Sequence, residues 1–65
     1  MLSLVHMARE GVLRGYIWQL SPAGYDYEVE IVTFDGEPVE KLRILESFET
    51  AKDLLEKHMK PLDFS

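Results

Sequence analysis

Between Tyr25 and Ile31 the chain alternates apolar and acidic residues, Tyr-Asp-Tyr-Glu-Val-Glu-Ile, the period-two pattern of a half-buried strand. Phe34-Asp35-Gly36-Glu37 follows, and its Asp-Gly pair suits a two-residue type I′ turn. A hairpin over Tyr25–Leu45 is therefore expected. If Phe34 faces Glu37, facing residues have numbers adding to 71, which sets Val29 against Leu42 and Tyr27 against Ile44 on one face. The other face then pairs Glu28 with Arg43 and Glu30 with Lys41. A slip by one residue would destroy both matches together.

Leu13–Leu20 reads as a second strand by its aromatics and alternation, and Ser21-Pro22-Ala23-Gly24 fits a type I turn with serine first, proline second and glycine fourth. Two registers are open. A four-residue loop sets Trp18 against Tyr27, so that Tyr16, Trp18, Tyr27, Val29, Leu42 and Ile44 share one face. A three-residue loop ending in a glycine bulge would put Trp18 with Asp26 and Glu28 instead. Burial of large side chains, about 1.5–3 kcal/mol each, favours the first.

The third strand spans Val39–Glu46, with Pro38 at its start as suits an edge. Thr50-Ala51-Lys52-Asp53 has the form of a capping box, and Ala51, Leu54, Leu55, His58 and Met59 make one helical stripe that Pro61 ends. For Met1–Gly11 a short helix from Ser3 to Glu10 is preferred, with Gly11 as its stop. The competitor is a strand along the sheet edge. The expected fold is α+β, one domain over 1–65: a three-stranded antiparallel meander, a C-terminal helix on its aromatic face and a short N-terminal helix. The apolar tail Leu62 and Phe64 is either folded back or loose.

Sixty-five residues without cysteine exclude a disulfide framework, a thiolate metal site and a thiol nucleophile, which fits a cytoplasmic setting. His6, Arg9 and Glu10 interrupt the first apolar run, so neither a signal peptide nor a membrane span is expected. The net charge of −5 is unevenly spread: residues 21–49 hold eight acids against Lys41 and Arg43, a local −6. Such a field repels phosphate backbones and anionic membranes and favours a basic partner.

Asp26, Glu28 and Glu30 form a column of carboxylates, but same-face neighbours on a strand stand about 7 Å apart, too far to share a proton. A solvated sheet face is the simpler account. His6 and His58 have no partner at zinc-binding spacing, and His58 fits the rim of a core. Ser3, Ser21, Ser47 and Ser65 lack the glycine context of an activated nucleophile, and no glycine loop cradles phosphate. Neither catalysis nor a cofactor or metal is expected.

Helix, three strands and helix is the element order of double-stranded-RNA-binding domains, and the strands followed by Phe48-x-Thr50-x-x-Asp53 resemble the three-stranded arm-binding modules of phage integrases. The first resemblance implies a basic cluster at the start of the last helix, where this chain has Thr50-Ala51-Lys52-Asp53. The second implies a basic sheet face, where it has Asp26, Glu28 and Glu30. Phosphate affinity should be small, and no family is assigned.

The leading expectation is a small acidic protein-interaction module that can associate with itself. Ile17, Val32, Val39 and Leu45 would leave apolar spots among Asp26, Glu28 and Glu30 on the face away from the helix, an interface core with a polar rim. The alternative is a polyanion mimic that occupies the basic groove of a nucleic-acid-processing protein. A nucleic-acid-binding sheet ranks third.

Overall fold

The computed structural model describes residues 2–59. Four antiparallel strands in chain order, β1 (Ser3–Glu10), β2 (Leu13–Gln19), β3 (Tyr27–Thr33) and β4 (Pro38–Ile44), make one sheet, and α1 (Phe48–Met59) packs across one face of it. The α+β class and the C-terminal helix agree with the sequence pattern. The N-terminal helix does not form, and the sheet has four strands rather than three. Pro61, Leu62 and Phe64 lie outside the described residues.

Ser3–Glu10 is a strand because Gly11-Val12 closes a two-residue hairpin. Glu10 faces Leu13, Gly11 has φ +59° and Val12 has none of the left-handed character that a type I′ turn would require, so the turn is type II′ with glycine first. The same glycine that resembles a helix stop is thus a hairpin turn. β2 also has a row of backbone groups pointing away from β3, and β1 satisfies them. Val5 is an extra residue, since Leu4 faces Trp18 and His6 faces Ile17.

The β3–β4 register is the expected one over Tyr27–Ile44, Glu28–Arg43, Val29–Leu42 and Glu30–Lys41, yet the turn that produces it differs. The loop has three residues, Phe34-Asp35-Gly36: Thr33 N–H donates to Glu37 O (2.8 Å), Gly36 N–H donates to Thr33 O (2.9 Å), and only Gly36 has positive φ (+93°). By itself this turn would place the strands one residue out of the expected register. Val39, unpaired between Glu40 opposite Ile31 and Pro38 opposite Val32, restores it.

Between β2 and β3 the favoured register fails. Trp18 faces Glu28 and Gln19 faces Tyr27, so Tyr16 and Trp18 lie on the side away from α1 while Leu13, Gly15 and Ile17 lie beneath it. The expected type I turn is present, with Gly24 N–H donating to Ser21 O at 3.2 Å, but Tyr25 extends the loop to five residues and Leu20 N–H reaches Asp26 O at 2.8 Å. Close approach decides the outcome. A Cβ on Gly15 would come within 2.4 Å of Met59 Sδ and 2.6 Å of Leu55 Cδ1, so the helix rests on bare backbone there. Large aromatics on that face would hold it off.

The core is Ile17, Tyr27, Val29, Ile31, Ala51, Leu55 and Met59, flanked by Ala8, Leu13, Leu42, Ile44 and Phe48. Phe48 meets both the Tyr27 and the His6 ring, with centroids 6.0 and 5.9 Å away. The helix begins earlier than the proposed box: Ser47 is the cap, its O accepting from Ala51 N–H (3.1 Å) and its Oγ from Thr50 N–H (3.3 Å). Of the expected stripe, Ala51, Leu55 and Met59 are buried and Leu54 is half-buried. His58 is exposed, its Nδ1 2.9 Å from Leu54 O, and does not line the core.

Candidate functional site

α1 covers one side of the sheet, and no second layer lies on the other among the described residues. That uncovered face divides into two halves by composition. On β1 and β2 the cross-strand pairs Leu4–Trp18 and Met7–Tyr16 put four large apolar side chains side by side, with Arg9 opposite Arg14 beyond them. Met7 is 62% exposed and Leu4 42%, while Tyr16 and Trp18 are half-buried with ring centroids 6.4 Å apart. Two arginines directly opposite repel each other. Arg14 Nη1 turns away to donate to Gly11 O and Leu13 O, each at 2.9 Å. Met7, Ala8, Arg9, Arg14 and Tyr16 line a shallow recess.

The β3–β4 half is ionic. Arg43 sits opposite Glu28 but reaches diagonally to Asp26, with Nε to Oδ1 at 2.8 Å and Nη2 to Oδ2 at 2.6 Å. Lys41, opposite Glu30, reaches Glu28 at 3.6 Å. Each base therefore pairs with the acid one step along the column rather than with the one directly across, as sheet twist allows. Glu30 accepts from Trp18 Nε1 at 3.2 Å, which joins the two halves and satisfies the indole without burying it under the helix. The fork-to-fork contact with Arg43 is the main cause that holds Asp26 below the usual carboxylate range, and the same contact raises Arg43.

Of the residues expected to form an interaction surface, Asp26, Glu28 and Glu30 do share this outer face. Val32 is half-buried at its end, Val39 is 51% exposed at the bulge, and Leu45 is 68% exposed just beyond β4. Ile17 is fully buried under α1 and presents no surface at all. The β2 register is responsible, since it exchanges Ile17 for Trp18. Tyr16 and Trp18 are expected under the helix because large apolar residues stand on both alternations of Leu13–Gln19, although the less favoured register does put Trp18 with Asp26 and Glu28; Leu4 and Met7 go unnoticed because Ser3–Glu10 also reads as a helix. Gly15 was the available signal, for a glycine inside a strand marks close backbone approach.

Among the described residues no three His, Cys, Asp or Glu side chains gather as metal ligands, no buried side-chain polar atom lacks a partner, and no helix is long and apolar enough to cross a membrane. No protein family, curated protein or solved structure matches this chain.

Proposed function

We propose that the chain is a small, non-catalytic protein-interaction module whose contact surface is the uncovered sheet face. The observation that carries the proposal is the juxtaposition of Leu4, Met7, Tyr16 and Trp18 on β1 and β2, bordered by Arg9 and Arg14 at one end and by the Asp26–Arg43 and Glu28–Lys41 pairs along the side. Aromatic residues, methionine and arginine are the types enriched where proteins bind one another, and a dry centre within a charged rim excludes water from the contact. A polyanion mimic would need its acids free. Asp26 and Glu28 are engaged by bases and Glu30 by Trp18, so that alternative is not favoured.

The test is retention of binding proteins from the native host on the intact chain, compared between two double variants. Y16A/W18A should lose the retained protein, whereas K41E/R43E should keep most of it. Equal retention by both variants would overturn the proposal, as would a wild-type chain that retains nothing but shifts duplex or single-stranded nucleic acid at low salt.

A further inference from the structure

We infer that two copies of this chain join along the outer edge of β1, antiparallel about a two-fold axis at Ala8, to form one continuous eight-stranded sheet. The two edges of the sheet are not equivalent. β4 starts at Pro38, bulges at Val39 and carries exposed Glu40, Lys41 and Arg43, all devices that discourage strand addition. β1 has a bulge at Val5, but from His6 to Glu10 its register is unbroken, and among the described residues nothing pairs with its outer edge.

Backbone parity fixes which groups face outward. Phe34 N–H donates to Val12 O (2.7 Å) and Leu20 N–H to Asp26 O (2.8 Å), so the even residues of β2 turn toward β3 and Leu13, Gly15 and Ile17 toward β1. Their partners Glu10, Ala8 and His6 point inward in turn, leaving the N–H and C=O of Met7 and Arg9 directed at the open edge. A symmetric antiparallel pair must use these two residues.

Three symmetric registers fit the unbroken segment. Centring on Met7 drives Arg9 against the bulge at Val5, and centring on Arg9 sets two arginines face to face. Centring on Ala8 makes Met7 and Arg9′ a doubly hydrogen-bonded pair, twice over, and on the helix side brings small Ala8 against Ala8′. His6 then faces Glu10′ at both ends. Opposite or neutral partners thus meet at every position from His6 to Glu10, as an isologous interface requires. The recess lined by Ala8, Arg9, Glu10, Glu56 and Met59 adjoins the axis, where the second copy would cover it. This junction leaves the Tyr16–Trp18 face open and doubles it, and it does not depend on what that face binds.

Sedimentation equilibrium of the full chain from micromolar to millimolar concentration is the test. The wild type should reach twice its 7.5 kDa mass. Met7→Pro removes an outward N–H without touching the β1–β2 ladder and should be monomeric with unchanged circular dichroism. Glu10→Lys should weaken association tenfold or more, and H6E/E10K, which sets a carboxylate against an ammonium at each end, should restore it; these two decide the matter if the proline variant does not fold. A wild type that stays monomeric overturns the inference and leaves the face proposal standing. A dimer indifferent to Met7→Pro and Glu10→Lys but dissolved by Y16A/W18A also overturns it, with the copies meeting through their faces.

Discussion

Gly15 carries more of the architecture than any other single position, because the helix touches the sheet where this residue has no side chain. The first atoms that a methyl group would meet are Met59 Sδ and Leu55 Cδ1, both belonging to buried residues of the core, which must shift to admit it. Gly15→Ala should therefore cost about 1–3 kcal/mol, the usual range for overpacking, and Gly15→Val more. Urea denaturation would read this as a lower midpoint with unchanged slope. Asp26 makes a subtler prediction. Its carboxyl is held below the usual range by Arg43, so the contact stabilises the fold above the ordinary carboxylate pKa and is lost as pH falls through the depressed folded value. Asn at this position cannot titrate. The gap in melting temperature between wild type and Asp26→Asn should be open at neutral pH and close on acidification, and a constant gap would mean that the ion pair is not its cause. Asp26 is legible in the sequence as part of the acidic column, whereas Gly15 is hidden as one more residue of an aromatic strand.

At the level of elements, the hairpin reached its expected register by a different route. An Asp-Gly pair suggests a two-residue turn, but Thr33 hydrogen-bonds through Oγ1 to both Glu37 N–H (3.0 Å) and the Asp35 carboxylate, which stabilises the longer three-residue loop. Side-chain pairing across the rest of the hairpin then selects the bulge at Val39, since only that brings Leu42 and Ile44 back under α1. Deleting Val39 removes only the unpaired residue and leaves Glu40 opposite Ile31 and Leu42 opposite Val29, so Leu42 and Ile44 should stay under α1. Hydrogen exchange should show β4 keeping its protection in this variant, and loss of protection in β4 alone would mean that the bulge does more than set the register. The helix start is a similar case of a correct element with a displaced cause. Ser47 makes the capping bonds, and Thr50, three residues on, contributes only a hydroxyl 3.2 Å from Ser47 Oγ. Ser47→Ala should cost about 1 kcal/mol and Thr50→Ala less, as measured by thermal unfolding. The strand over Ser3–Glu10 was undecidable from its own residues, because its fate rests on a partner, β2, whose open backbone no local pattern reveals.

Among the described residues one helix lies over one sheet, and the other face of the sheet has no covering layer. A chain of this size buries only about 60% of the surface that its unfolded form exposes, which makes any added association a sizeable part of its stability. Because the second copy would bind only the folded chain, the melting temperature should rise with protein concentration by mass action. The single tryptophan provides an independent view of where the copies meet. Trp18 is half-buried on the uncovered face and tied by its indole to Glu30. Joining β1 to β1′ extends the sheet sideways and puts nothing over this ring. Dilution through the dimer range should therefore lower the melting temperature while leaving the Trp18 emission and its quenching by acrylamide unchanged. Stacking through the faces would instead shield the indole in the concentrated protein, and quenching would increase on dilution in step with the fall in melting temperature.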